Sequence, residues 1–490
     1  MRTKFKQLLL LVIFLIPVAG FAQGNGNSFT LQQAIDYALT NSFAVKNAQL
    51  DVTSASAKVG ETRAIGLPQV NFQAQLQHSF KIQNSIFDNR ANSPFARLGS
   101  GVSKSDFYIQ DIYKNLGVNP IPDAPVAPFN PDAVTAFPFG LKNNGLVTLN
   151  ASQIIFNGSY LVGLKASKTY KELSQKNLTS SKIVIVENVS KAYYAVLVNK
   201  ERLDLLKVNV NRLDSLFKET SAMYKNGFVE QIDVDRIEVQ YNNLKVEEEN
   251  VARLLKLSSE LLKFQMNYPL TDEITVSDQL SSFDKFVENA STENIDYTNR
   301  IEYSLLQTQK QLNILDVKNL NAGRLPTLNA SATYGYNPAA TRLRDITQSA
   351  RWINYSFIAF QFNFPLFTGL GTHYKIQQKR IELQKTENNL AQFKKTIDLQ
   401  IQQSNITLQN AIQTLKTQKR NLALAEKVAK VTQIKYKQGV GSNIEVINAE
   451  AAFKEAQTNY YSALYNALIS KTDLDKSNGT LLGGSTTGIK

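Results

Sequence analysis

Four stretches of the chain alternate apolar and polar residues with a period of two. In residues 69–77, Val70, Phe72, Ala74 and Leu76 fall on one face; Gln69, Asn71, Gln73, Gln75 and Gln77 fall on the other. Residues 146–155 set Val147, Leu149 and Ala151 against Thr148, Asn150 and Ser152. Further on, Leu328, Ala330, Ala332, Tyr334 and Tyr336 oppose Asn329, Ser331 and Thr333, and Ile358, Phe360, Phe362 and Phe364 oppose Ala359, Gln361 and Asn363. Side chains alternate faces along a strand, so the pattern predicts four strands, each with one apolar and one polar side. The polar sides carry amides and hydroxyls rather than charges. Each stretch approaches the roughly 9–11 residues of a tilted membrane-crossing strand, with the apolar-out, polar-in pattern of an outer-membrane barrel. One such strand alone fits a soluble sandwich as well; four in one chain favour the barrel. Four strands do not close a barrel, since single-chain membrane barrels start at about eight. Open edges have no hydrogen-bond partners in hydrocarbon. The barrel is therefore expected to be shared between chains. Two copies give eight strands and a filled interior; three give twelve and a lumen.

Between the strands the period changes. No proline occurs from Gly158 to Gly227, and Val189, Val196, Leu203, Val210 and Phe217 recur every seventh residue. Ala192, Leu206 and Leu213 lie three positions later, with the polar Asn199 in the same register. Heptads predict supercoiled helices, and about 65 residues at about 1.5 Å each predict a rod of roughly 100 Å. A return helix is expected over Ile232 to Met266. A second pair follows over His373 to Lys437 and Asn443 to Ser470.

The chain states this plan twice. Leu67-Pro68-Gln69-Val70-Asn71 returns as Leu325-Pro326-Thr327-Leu328-Asn329, Ile155-Phe156-Asn157-Gly158 as Leu366-Phe367-Thr368-Gly369, and Tyr224-Lys225-Asn226-Gly227 as Tyr436-Lys437-Gln438-Gly439. A period of roughly two hundred residues exceeds the about 20–50 of a solenoid repeat and indicates two halves of one body. The expected organisation is a signal peptide (1–23) and a first repeat (24–266). That repeat comprises a helix, a strand (68–80), an extracellular insertion (78–144), a strand (145–157) and a helical hairpin (158–266). An equatorial connector (267–298) leads to the second repeat (299–477), with strands 326–336 and 354–366 and a hairpin over 370–477. A flexible tail (478–490) ends the chain. The insertion is proline-rich, from Pro120 to Pro138.

Composition narrows the class. Arg2, Lys4 and Lys6 precede an apolar run from Leu8 to Val18, followed by Ala19, Gly20 and Ala22. This is the layout of a secretory signal peptide, and the run is too short for a span of about 20 residues. Its removal lowers the formal charge from +13 to about +10. The chain has no cysteine, hence neither disulfides nor a cysteine-linked lipid. No cluster of Lys and Arg marks a nucleic-acid surface. Gly227 and Gly439 each close an aromatic-Lys-x-Gly motif, the mark of a helix end with a left-handed glycine. Asp233 and Glu445 fall in the next first turns, where a carboxylate suits the helix dipole.

Taken in order, these motifs resemble the TolC family of outer-membrane efflux ducts over nearly the whole mature chain. The opening helix Leu31-Gln32-Gln33-Ala34-Ile35-Asp36-Tyr37-Ala38-Leu39, the paired Leu-Pro strand entries, the Phe-x-Gly exits and the tips Tyr224–Val234 and Tyr436–Val446 carry the resemblance. It implies an α+β membrane protein: a homotrimer with a twelve-stranded barrel, four strands per chain, continuous with a long antiparallel helical barrel in the periplasm. It implies lipid around the barrel, a periplasmic adaptor protein at the hairpin tips and an inner-membrane pump beyond it, and no cofactor, metal or nucleic acid. A periplasmic gate is implied at Tyr436, Asp233, Glu445 and Asn448, with Tyr436 hydrogen-bonded to Asp233. Asn448 stands where the family often has a second acid. The adaptor-docking tips correspond to Gly227, Phe228, Val229, Gly439, Val440 and Gly441.

Two other readings compete. A coiled-coil or adhesin stalk accounts for the heptads but not for the amphipathic strands or the duplication. A barrel enzyme needs a nucleophile, a base and an orienting acid. The two histidines, His78 and His373, fall on different elements, and no zinc-ligand spacing occurs.

Overall fold

The computed structural model describes residues 28–88, 117, 134–138, 140–279, 283, 297–348 and 352–482. The expected signal peptide, most of the 78–144 insertion, much of the 267–298 connector and the end of the tail lie outside these residues. The chain divides into two compact units. One, residues 61–161 and 321–368, holds the sheet. The other, residues up to 60, 162–320 and from 369, is mainly helical.

The sheet unit contains β2 (Gln69–His78), β5 (Asn143–Phe156), β7 (Thr327–Ala340) and β8 (Trp352–Asn363) in the order β2-β5-β7-β8. Every pairing is antiparallel, with Gln69 opposite Ser152, Ala151 opposite Ala332 and Ala330 opposite Phe360. The predicted alternation therefore runs across strands in register, and one face carries Val70, Phe72, Ile358, Phe360 and Phe362. These side chains are 62–72 % exposed, and every residue of β2 is exposed. Among the described residues no second layer covers the sheet. β7 runs four residues beyond the expected end at 336, through Pro338 to Ala340; Gly145 makes room, since a Cβ there would lie 2.6 Å from the Pro338 ring. A short ladder, β3 (Asn84–Asp88) with β4 (Val134–Pro138), stands within the expected insertion.

The Phe-x-Gly exits look alike in sequence but serve different needs. Gly158 opens its helix, and a Cβ there would sit 3.0 Å from the Ala322 carbonyl. Gly369 has φ +61° and Leu370 follows at +64°, so the second exit contains a left-handed step that the first lacks. Gly335 marks another close approach. A Cβ there would lie 2.9 Å from both Thr148 Cγ2 and the Val147 carbonyl, and 3.0 Å from the Tyr355 ring. Gly335→Val is therefore expected to destabilise the sheet by about 1–3 kcal/mol and to lower the yield of heat-modifiable oligomer on electrophoresis. A wild-type yield would show that the sheet opens to admit the side chain.

The helical unit begins with β1 (Ser28–Phe29), paired in parallel with β6 (Thr275–Val276). The expected single opening helix is two, α1 (Leu31–Asn41) and α2 (Phe43–Ala64), interrupted at Ser42, whose ψ is 130°. Thr30 caps α1 with a complete capping box involving Gln33. Asp278 joins the start of the chain to the connector, accepting from Leu31 N and Tyr193 Oη, each at 2.8 Å. The hairpins are α3 (Gly158–Lys225) with α4 (Gln231–Met266), and, after α5 (Ile301–Ala322), α6 (Gly371–Lys437) with α7 (Asn443–Asn478). The heptad positions Val189, Val196, Leu203 and Val210 are buried, as are Ile237, Leu244 and Val251 of α4 at the same spacing. Asn199, the polar residue of that register, donates to Ser258 Oγ at 3.3 Å.

Candidate functional site

Both hairpin tips are built by the same local physics. At the end of α3, Gly227 takes φ +76°, and Phe228 N and Gly227 N return to the carbonyls of Met223 and Tyr224, each at 2.9 Å. At the end of α6, Gly439 takes φ +73°, with Val440 N bonded to Lys435 O and Gly439 N to Tyr436 O. A side chain with a Cβ pays a steric penalty in this conformation, so glycine ends each helix. The turns leave Phe228 and Val440 80 % and 77 % exposed, while Val229 and Gly441 are half-buried. Ser442 caps α7, accepting from Glu445 N at 3.4 Å; Glu230, at the same place before α4, makes no side-chain cap.

Within one chain, Tyr436 and Asp233 are not hydrogen-bonded to each other. Asn443, 96 % buried at the first position of α7, donates its amide to both the Asp233 carbonyl (2.7 Å) and the Asp233 carboxylate (2.9 Å). Arg236 adds a charge 3.8 Å from the same carboxylate. With Asp233 occupied, the buried Tyr436 hydroxyl has no hydrogen-bond partner, and neither have Thr220 Oγ1 and Asn443 Oδ1. Burial pushes the Tyr436 pKa up; the Thr220 hydroxyl opposes the shift and the Asp233 charge adds to it. At the tip, therefore, Asn443 and Arg236 engage Asp233 while the hydroxyls of Tyr436 and Thr220 stay unpaired. A second tie between the hairpins is exposed: Lys437 Nζ lies 2.8 Å from Glu219. Glu445 and Asn448 are on the exposed side of α7 and take no part in this cluster.

Higher along the hairpins, a polar layer crosses the apolar seam. Arg212 meets Glu450 at 2.6 Å and stacks 5.2 Å from the Phe453 ring, and Asn209 donates to Gln457 at 2.9 Å. Burial raises the Glu450 pKa, against the opposing charge and hydrogen bond of Arg212. Glu450 Oε1, Arg212 Nε and Gln457 Nε2 have no partner. A cavity of about 20 Å³ beside Asn209 and Glu450 is large enough for one water. Higher still, Lys191 bridges Glu187 (2.8 Å) and Asp473 (2.7 Å), while Lys476 also reaches Glu187 (2.7 Å).

Sequence reasoning missed Asn443, Thr220 and the Arg212–Glu450 layer. In the repeat, Asn443 aligns with Gln231, which bonds Asp235 of its own helix at 2.6 Å. The duplication therefore hid a contact that only one copy makes. Among the described residues no group of three His, Asp or Glu side chains is placed to hold a metal. His78 is hydrogen-bonded to Asn143 at 2.7 Å, and His373 packs edge-on to Tyr374.

Residues 140–266 and 315–480 match the family model described as outer membrane efflux protein. The outer membrane protein TolC of Vibrio cholerae serotype O1 is 19 % identical over 342 residues, covering 68 % of this chain and 76 % of that protein. Among solved structures, the outer membrane protein VceC of Vibrio cholerae superposes with a TM-score of 0.64 at 15 % identity, covering 92 % of this chain and 96 % of that one. The MtrE outer membrane channel of Neisseria gonorrhoeae, in its open state, gives 0.65 at 15 % identity, covering 92 % and 88 %.

Proposed function

The chain belongs to the outer membrane efflux protein family, and from that premise we propose that it works as a homotrimeric exit duct, fed by a periplasmic adaptor and an inner-membrane pump. The observation that carries this reading is the sheet. Among the described residues it has four strands, an exposed apolar face and two open edges, β2 and β8. Unpaired edges are untenable in hydrocarbon. Pairing β2 of one copy with β8 of the next satisfies both, and three copies give a barrel with a lumen.

The exposed Phe228 and Val440 at the tips suit an apolar socket on the adaptor, with Gly227, Val229, Gly439 and Gly441 shaping the turns. The Asn443–Asp233 contact biases the aperture, with the unpaired Tyr436 hydroxyl buried near it, and Glu445 and Asn448 supply polar groups toward the opening. The cargo class is set by the pump that the adaptor recruits. Light scattering of the detergent-solubilised protein is expected to give a trimer, and planar bilayers are expected to give discrete conductance steps. A stable monomer, or a crosslinked ladder ending at dimer, would sink the trimer; a non-conducting trimer would sink the duct.

A further inference from the structure

The loop end of the sheet carries a second surface with its own chemistry. Here β2 hands over to β3, β4 hands over to β5, and β7 turns into β8. The described residues 79–84, 140–144 and 341–348 contain Lys81, Lys142, Arg342 and Arg344 but only one acid, Asp345. All four cations are exposed, and Asp345 lies 3.6 Å from Arg344 alone.

The rim is held in place by the fold. Asn143, 1 % exposed, receives the His78 Nδ1 proton at 2.7 Å and donates to the carbonyls of Ala340 (3.2 Å) and Thr341 (3.0 Å). Ser79 N bonds Lys142 O at 2.7 Å. One buried amide thus staples the ends of three strands, next in sequence to Lys142 and close to the start of the Arg342 turn. Trp352 Nε1 donates to Ile346 O at 2.7 Å, pinning the short 3₁₀ turn (Leu343–Thr347) that bears Arg344.

This rim continues the apolar face of the sheet. Phe362, Phe360 and Ile358 lead along β8 toward Trp352, whose ring is 5.8 Å from Tyr336; Tyr336 in turn is 5.6 Å from Tyr334. The order along the face is aliphatic and phenyl groups, then a Tyr/Trp band, then cations. Tyr and Trp bands lie at the headgroup level of a bilayer, so the cations fall where lipid phosphates are. Guanidinium groups match phosphate with two hydrogen bonds.

We propose that the Lys81, Lys142, Arg342 and Arg344 rim is a seat for the phosphate groups of a phosphorylated glycolipid in the outer leaflet. The proposal rests on the duct reading, which puts the strand-to-strand connections outside and the strand-to-helix connections inside. Its consequence is a barrel fixed in depth from its outer end, in a chain with no cysteine for a lipid anchor.

The test is native mass spectrometry of the full-length protein in detergent with three probes: diphosphorylated lipid A, the same lipid with its phosphates removed, and phosphatidylglycerol. Diphosphorylated lipid A is expected to remain bound to the wild type. Removing the phosphates, or substituting Arg342→Gln with Arg344→Gln and Lys142→Gln, is expected to weaken retention at least about tenfold. The variant Arg342→Lys with Arg344→Lys keeps the charge and should retain most of the binding. Equal retention of the dephosphorylated lipid, of phosphatidylglycerol, or by the Gln variant would overturn the seat. Bilayer conductance and membrane fractionation of the same proteins report on the duct separately: conducting, outer-membrane protein without lipid selectivity refutes the seat alone, whereas wild type absent from the outer membrane refutes the orientation beneath it.

Discussion

Asn443→Ala is expected to raise the single-channel conductance of the reconstituted protein severalfold and to sensitise cells to bulky antibiotics, while Tyr436→Phe changes neither. Asn443 holds Asp233 with two hydrogen bonds while the Tyr436 hydroxyl makes none. A hydrogen bond to a charged group contributes about 1.5–3 kcal/mol, and about 1.4 kcal/mol shifts a two-state balance tenfold. Losing Asn443 therefore weakens the tie between the hairpins by about one to two orders of magnitude. Losing the Tyr436 hydroxyl removes a buried group that is already unpaired, which is close to neutral or mildly stabilising. The rival arrangement, with Tyr436 bonded to Asp233 in the closed duct, predicts the reverse order. Asn443→Asp separates the ideas further. It sets a second carboxylate against Asp233, so the closed tip binds a proton more tightly than the open one. Closure is then favoured in acid and lost as pH rises through the elevated carboxylate pKa. A pH-independent conductance in Asn443→Asp would show that residue 443 does not face Asp233 in the assembled duct.

The strands were legible because lipid-facing strands need both a period of two and uncharged polar faces, and residues 69–77 and 358–364 supply both. The hairpins were legible because the heptad stripe from Val189 to Val210 must be buried, and it is. The break at Ser42 was hidden, since Leu31–Ala64 has no proline or glycine to punctuate it before Gly60. The tip cluster was half legible. Glycine at φ +76° and +73° is a local requirement that a motif reveals. The partner of Asp233 is chosen by the packing of one hairpin on the other, and no local pattern encodes it. The same holds for Arg212 and Glu450, separated by 238 residues. The basic rim was unreadable for a further reason: its four cations are dispersed along the chain, and the strand ends that bear them are tied by Asn143 through contacts with His78, Ala340 and Thr341.

Arg212→Ala is expected to produce the largest loss of stability of any single substitution in the hairpins, about 3–5 kcal/mol, because it strands the carboxylate of Glu450 in a buried seam. Glu450 is 8 % exposed, with one oxygen on Arg212 and the other unpartnered. Desolvation outweighs the attraction of Arg212, and the net pKa is raised above 4.5. The folded state therefore holds this proton more tightly than the unfolded chain. The Glu450 contribution is fully present below the unfolded value and declines as pH rises through the raised one. Thermal melting of the detergent-solubilised protein should then show a slope across that window that Glu450→Gln removes. In Arg212→Ala the window should move upward, since the group that lowered the pKa is gone. Replacing both partners at once, Arg212→Leu with Glu450→Leu, should recover most of the lost stability, because an apolar pair avoids both desolvation penalties and completes the seam formed by Leu213, Leu244 and Phe453. If the double variant melts as low as Arg212→Ala, the layer is maintained by the remaining Asn209–Gln457 bond rather than by the ion pair. If Arg212→Ala melts like the wild type, Glu450 is already neutral in the folded protein, and the pair contributes orientation without charge.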